Sequence, residues 1–527
     1  IRRPPRSTLD RSSAASDVYK RQDQLLENLL ELLERPSVRP SNITGSIISA
    51  LRCQEEFSQL LEQFGSGAAI ERPYNDIAAQ LSEMPLLLRI MHLNPLHDLE
   101  IERMFTALRS LLLQETMAGS GDGSVLPFSI ALSLQCFTNE YVFLESDADR
   151  AAVEQLQEKV GVDLAKGEDV RACDIITLSA YRPLYDFSWA GELCERAWED
   201  SIQEVIRRQV LEPREELSLR SQIPQLTTIQ NLVSHSVREQ YEENPYPRWI
   251  RAGLKETGKG IGAVLEGSPL RFDLGDYVSP ERPDILVAGC GTGQHALMTA
   301  SIFSNSRVLA IDLSLSSLSY AMRKTTALGV SGIEYAQADI MELGDLGRQF
   351  DLIESVGVLH HLDDPLAGWG ILVDLLRPGG VMKIGLYSEL ARQHVVAGRS
   401  LIAEKGYTTS AKEIRRCRQD IIAMGEGGNG GMKKICDTFD FFNLSECRDL
   451  LFHVQEHRFT LPQIEEFLEA LQLRFLGFEN ANYRVNKAFN ESHKDQQALT
   501  SLSRWHEFEL DNPDTFLGMY QFWCKKN

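Results

Sequence analysis

Residues 284–293 read Asp-Ile-Leu-Val-Ala-Gly-Cys-Gly-Thr-Gly, and the fold class turns on this stretch. Its apolar run, Ile285 to Ala288, is too short for a helix and suits a buried strand. Three glycines at alternate positions follow at once, and helix-forming residues resume at Gln294. A glycine-rich turn between strand and helix lets backbone approach a ligand, with the helix N-terminal amides pointing at it. A second apolar strand, Arg307–Ile311, ends in Asp312, where a carboxylate can accept hydrogen bonds from ribose hydroxyls. Strand, turn, helix and acidic strand end together predict an α/β sheet that binds a nucleotide-like cofactor.

The glycine spacing separates two cofactor families. A dinucleotide fingerprint requires G-x-G-x-x-G, but here the order is G-x-G-x-G and position 294 is Gln. Further features follow in order: Gln337-Ala338-Asp339 closing a third strand, Phe350–Ser355 opening a fourth, and Val358-Leu359-His360-His361-Leu362 after it. Leu376-Arg377-Pro378-Gly379-Gly380 then turns into a fifth strand, VMKIGLY. In this order the segment resembles class I S-adenosylmethionine-dependent methyltransferases. Farther out, YEENPYPRW (241–249), SECRDLLFHVQEHRFTLPQI and MYQFW resemble bacterial members often fused to tetratricopeptide repeats.

That resemblance implies a Rossmann-like seven-stranded methyltransferase sheet and S-adenosyl-L-methionine as cofactor. It implies that Gly289, Cys290, Gly291 and Gly293 line the methionine and ribose portion. Asp312, with Leu313 beside it, holds the ribose hydroxyls, and Asp339 with Ile340 contacts the adenine. Asp339 also sits where it could cap a helix. The loop after the fourth strand places Val356, Gly357 and His360 near the sulfonium.

Methyl transfer requires in-line approach of the nucleophile in a site that excludes water, and a hydroxyl or amine nucleophile can require a base. His360 is the first candidate for that base and His361 the second, with Asp363 as an orienting partner; the alternative is that they only shape the pocket.

Around this core the chain divides into four expected segments. Residues 1–22 lack any helical or strand period and read as a non-native or disordered tail. Residues 23–220 read as an all-α N-terminal domain without a repeat period. Helices are expected at Asp23–Glu34, Ile43–Phe64, Leu99–Met117, Pro127–Leu144 and Leu193–Val210, the last ended by Pro213. Residues 221–280 form a linker in which two prolines hold YEENPYPRW extended, presenting Tyr241, Tyr246 and Trp249 outward as a substrate lid. Residues 281–527 form the methyltransferase domain, with a helical cap insertion at about 390–471 and closing strands at about Leu473–Glu479 and Phe516–Cys524.

Two motifs are expected to be decoys. His453-Val454-Gln455-Glu456-His457 fits H-x-x-E-H, which would place two histidines on one helix face, but a new element starts at Phe459; no metal site is assigned. Gly425–Gly430 fits G-x-G-x-x-G but follows a helical run, and reads as a loop.

The chain has 527 residues, 43% hydrophobic and 24% charged, with a net charge of −21. Such an acidic surface repels polyphosphate and disfavours a nucleic-acid substrate. The basic island of Lys405, Lys412, Arg415, Arg416, Arg418, Lys433 and Lys434 is read as a solvated helix face. Nine scattered cysteines without a C-x-x-C pair fit a reducing cytoplasm, and no apolar stretch is long enough to span a membrane. The expected function is methyl transfer to a small molecule. A protein acceptor recruited by the helical domain, or a non-catalytic cofactor-binding interaction protein, are the alternatives.

Overall fold

The computed structural model describes residues 22–65, 72–119, 126–267, 274, 277–479, 483–493 and 495–527. The tail expectation falls almost wholly on residues outside this set. The chain forms two compact units. The first takes in the chain up to Pro213 with Trp249–Gly253 and Asp437–Leu444; the second is Arg214–Arg248, Leu254–Cys436 and Ser445–Asn527.

The first unit is helical among its described residues. Asp98 starts Leu99–Ala118 by accepting the amides of Glu100 and Ile101, and Gly119 ends it in the left-handed region. Ile101, Met104, Phe105, Leu108 and Leu112 are its buried stripe. Three expected helices differ. Ile43–Phe64 is two helices, Thr44–Leu51 and Glu55–Gly65, with a turn between. Pro127–Leu144 stops at Thr138, because Glu140 and Tyr141 take positive φ. Pro213 does not end its helix. The turn before it, Arg207–Leu211, is a π-helix, whose wider bonding relieves the clash that proline makes with an α-helical carbonyl, and Glu212–Leu219 continues.

The second unit holds a seven-stranded sheet: β1 Asp284–Ala288, β2 Arg307–Asp312, β3 Ile333–Gln337, β4 Phe350–Val356, β5 Leu376–Leu386, β6 Leu473–Phe478 and β7 Tyr520–Lys526. Their order is β3-β2-β1-β4-β5-β7-β6. The first five run parallel, and β7 is antiparallel to both neighbours. Parallel neighbours need crossovers, which Gln294–Ile302, Leu315–Ala327 and Pro365–Asp374 supply. Ile285, Leu286, Val287 and Ala288 are all buried, as a central strand covered on both faces requires. The order reverses between β1 and β4, and a ligand crevice is expected at the carboxyl ends of strands on either side of such a switch. This is an α/β Rossmann-like methyltransferase fold. The last strand begins at Tyr520 rather than Phe516; Phe516 packs against Phe478 instead.

The expected linker is partly helical: Leu232–Glu243, capped by Asn231, and Ile261–Glu266. Between β5 and β6 lie the helices Gln393–Lys405, Ala411–Glu426, Gly430–Cys436, Leu444–Phe452 and Leu461–Ala470. The Gly425–Gly430 motif joins two of them and no strand precedes it. In the basic island, Lys405 pairs with Asp420, Arg416 with Glu413 and Lys434 with Asp514, while Arg418 is buried. Among the described residues no helix is long and apolar enough to cross a membrane. All nine cysteines are free thiols.

Candidate active site

The turn after β1 is built on positive φ. Gly289, Gly291 and Gly293 have φ of 80°, 50° and 82°, a region that side chains bearing a Cβ rarely occupy. The glycines then divide in role. A Cβ on Gly291 would lie 2.6 Å from the Tyr246 carbonyl oxygen. Gly289 and Gly291 border a cavity of about 280 Å³ at the strand ends, whereas Gly293 is not among its lining residues. A Cβ there would lie 2.5 Å from Ala321 Cβ, so Gly293 serves close helix packing.

Asp312 closes β2 beside this turn. The Gly291 amide donates to its Oδ2 at 2.8 Å and the Ser314 amide to its Oδ1 at 3.0 Å. Each oxygen keeps a lone pair for a further donor. Burial raises the Asp312 carboxyl, and the two amides oppose that shift. Asp339 does two jobs at once. Its Oδ1 accepts the Met341 amide and caps the 3₁₀ turn Ile340–Asp345, while its buried Oδ2 has no hydrogen-bond partner among the described residues. An orphaned carboxylate oxygen is costly unless a ligand supplies the donor.

The cavity also brings in Cys290, Leu313, Ile340, Val356, Gly357 and Val358. Two groups on its wall were not expected from the sequence. His295, on the first turn after the glycines, lies 3.2 Å from the buried Glu354 in the middle of β4. Burial raises Glu354, but His295, Lys383 and the Thr299 hydroxyl together bring it below the ordinary range. Asp449, from the inserted helix Leu444–Phe452, is the other. Nothing in the local pattern of that helix separates Asp449 from any other polar position.

The two histidines after β4 have different surroundings. His360 is fully buried, does not line the cavity, and neither of its ring nitrogens has a partner among the described residues. Its ring lies 3.9 Å from that of Tyr387, and burial holds its pKa well below the ordinary range. His361 does line the cavity. Its Nδ1–H donates to the Gln455 carbonyl at 2.6 Å, leaving Nε2 with a lone pair. Burial first, then His453, lowers its pKa to about 3.

Behind His361 lies a polar network. Tyr241 donates its hydroxyl proton to Asp449 at 2.6 Å and lies 3.1 Å from His453 Nε2. The rings of His361 and His453 stack at 3.6 Å. His361, Asp449 and His453 place one donor atom each within 4.8 Å of one another, a spacing that could hold a metal ion. The His453 tautomer opposes that use: the Gln455 amide donates to its Nδ1 at 3.1 Å, so the neutral ring carries its proton on Nε2, the atom facing Tyr241. The H-x-x-E-H pattern is likewise not a helix face, because the helix ends at Phe452. Glu456 is buried against Arg392 at 2.6 Å, with Arg458 at 3.6 Å and Arg399 at 3.7 Å. That carboxylate is occupied by guanidinium groups.

The aromatic segment is not turned outward as a whole. Tyr241 and Tyr246 are half-buried, stack at 6.3 Å and line the cavity. Trp249 is buried and belongs to the first unit, so it is not part of this cavity; its large apolar ring is covered rather than presented. Tyr387, at the end of β5, and Met519, just before β7, complete the wall.

Comparison with known proteins agrees with this geometry. Residues 285–380 match a family model described as a methyltransferase domain. An uncharacterized Synechococcus protein is 30% identical over 238 residues, covering 44% of this chain and 56% of that protein. The chain thus spans little more than half the length of that relative. A malonyl-[acyl-carrier protein] O-methyltransferase of Acetivibrio thermocellus is 25% identical over 42% of this chain and 74% of its own length. A trans-aconitate 2-methyltransferase of Deinococcus radiodurans is 35% identical over 20% of this chain and 39% of its own. Residues 285–380, within the second unit, thus carry a segment that matches the methyltransferase-domain family.

Proposed function

We propose that the protein transfers a methyl group from S-adenosylmethionine to a small-molecule acceptor. The observation that carries this is the convergence of the Gly289–Gly291 turn, Asp312, Asp339 and the Val356–Val358 loop on one cavity. The fit to the cofactor rests on the unpartnered Asp339 Oδ2, which suits the amino group of an adenine, and on the free lone pairs of Asp312, which suit ribose hydroxyls. His295, held by Glu354, lines the same cavity and could accept a hydrogen bond from the cofactor or donate one to it.

When bound, the cofactor supplies an electrophilic methyl on a sulfonium. The chain's own residues position and enclose. Tyr241, Tyr246, Pro247 and Met519 help to wall the cavity and exclude water. His361 offers a neutral Nε2 that can orient an acceptor N–H or O–H; with a pKa near 3 it is a weak store for the proton itself. His360 is walled off and is a packing residue in this reading. Asp449, from the inserted helix Leu444–Phe452, joins the wall of this cavity, an enclosure that favours a small acceptor or a single side chain. The names of two relatives point to acid-bearing substrates. Among the described residues no Lys or Arg lines the cavity, so the acceptor need not follow them.

Calorimetric titration with S-adenosylmethionine and S-adenosylhomocysteine tests the reading. Micromolar binding that is lost in Asp312→Ala is the expected result. A well-folded wild-type chain that binds neither would overturn it.

A further inference from the structure

We propose that the acceptor half of this cavity takes an amine, which enters as its ammonium form with Asp449 as counter-ion. The inference rests on the methyltransferase reading above and goes further by naming the acceptor class.

Three observations carry it. First, Asp449 is a buried carboxylate on the cavity wall that accepts a hydrogen bond from a neutral group, the Tyr241 hydroxyl at 2.6 Å. Second, among the described residues no Lys or Arg side chain lines the cavity. The nearby Arg392 is tied to Glu456 at 2.6 Å, and its guanidinium lies over the Tyr387 ring at 3.5 Å, so its charge is already answered. Third, the wall around Asp449 is aromatic: Tyr241 and Tyr246 stack at 6.3 Å with an interplanar angle of 22°, and Tyr387 borders the same space. A carboxylate set among aromatic faces attracts an ammonium through charge and ring quadrupole together, and repels a carboxylate. His453 Nε2 lies 3.9 Å from Asp449 Oδ1, and a buried carboxylate held by neutral groups gains from a cationic ligand.

Asp449 also closes the proton balance. Burial raises its carboxyl above the ordinary range, so it can take the proton an ammonium must lose. The freed nitrogen lone pair then forms the nitrogen–carbon bond, and the carbon–sulfur pair stays on sulfur as a neutral thioether. The nitrogen carries the positive charge as a methylated ammonium, and the proton on Asp449 passes to water once the product has left. His361 Nε2 is placed to accept one of the remaining N–H bonds, which orients the lone pair without moving a proton.

The test is binding by the full chain saturated with S-adenosylhomocysteine, using benzylammonium and benzoate as probes. Benzylammonium is expected to bind saturably in the millimolar range and at least tenfold more tightly than benzoate. Asp449→Asn, which keeps the shape, is expected to weaken it at least tenfold while leaving S-adenosylhomocysteine binding within threefold. Benzoate binding as well as benzylammonium, no benzylammonium binding, or an unchanged Asp449→Asn would each overturn the proposal. A second measurement involves no variant. Sinefungin, which carries an amine where S-adenosylmethionine carries its methyl, is expected to bind the wild-type chain at least tenfold more tightly than S-adenosylhomocysteine, and equal affinity would count against the amine site. Failure of the wild-type chain to bind S-adenosylhomocysteine at all is a different result, and overturns the methyltransferase reading itself.

Discussion

The two ends of the cavity are built in different ways. At the cofactor end, the glycine turn, Asp312 and Asp339 sit directly at the ends of neighbouring parallel strands, and their carboxylates are held by backbone amides of the same turns. At the acceptor end, Tyr241, Tyr246, His361, Tyr387 and Asp449 come from a helix, a proline-rich segment, a loop, a strand end and an inserted helix. Amides hold their charges in place at any pH, whereas imidazoles and phenols do not. The two ends should therefore respond differently to acid and to substitution.

Acid gives the largest expected effect. His360, His361 and His453 are held neutral in the folded chain, the last two with pKa values lowered to about 3, mainly by burial. Their unfolded values lie near 6.5, so below that pH the unfolded chain binds more protons and stability falls as pH drops from about 6.5 toward 3. These three contribute at most about 4 kcal/mol per pH unit, and His92, His97 and His394, whose pKa values burial also lowers, add to the fall. Asp449, with its pKa raised, opposes the trend in the more acidic part of that window. Denaturant titration at pH 7, 6 and 5 should show the fall, and His361→Gln should flatten it by at most about 1.4 kcal/mol per pH unit. A wild-type stability that stays level over this range breaks the comparison.

Gly293→Ala comes next. A left-handed alanine whose Cβ meets Ala321 should cost about 2–4 kcal/mol of stability by chemical denaturation, because strain and overpacking add. Asp312→Ala should cost about 2–3 kcal/mol of cofactor binding, or roughly 30- to 150-fold in Kd, since hydrogen bonds to a charged group are lost. The smallest effect separates the two jobs of one residue. Asp339→Ser keeps a good capping side chain but removes the oxygen in the cavity. Stability should then stay within about 0.5 kcal/mol while S-adenosylhomocysteine binding weakens by roughly five- to tenfold. A larger loss of stability than of binding would mean that capping is its main role.

The same contrast explains what could be read from the sequence. The cofactor end is local: Ile285 to Gly293 is one unbroken stretch, and Asp312 and Asp339 each mark the end of a strand or of the short turn after it. Such patterns survive in one dimension. The acceptor end depends on residues brought together over more than two hundred positions, as in Tyr241 with Asp449. Of the aromatic segment, the sequence pointed to Tyr241 and Tyr246 but also to Trp249, since proline spacing does not tell which side of an extended segment is covered. It likewise ranked His360 above His361, because adjacent residues in a loop share every sequence property except the direction in which they point. His453 stood out as part of an apparent zinc motif, and its place beside Tyr241 emerges only when the helix Leu444–Phe452 stops short of it.

The origin of Asp449 has a consequence for how such a protein can change over time. The helix that carries it lies in the insertion between β5 and β6, outside the segment that matches the methyltransferase-domain model. Alterations there can reset the sign of the charge that greets an incoming molecule while every strand end that faces the donor stays as it is. Acceptor preference and donor recognition are in this sense inherited on separate pieces of chain, and a lineage can explore the first without putting the second at risk.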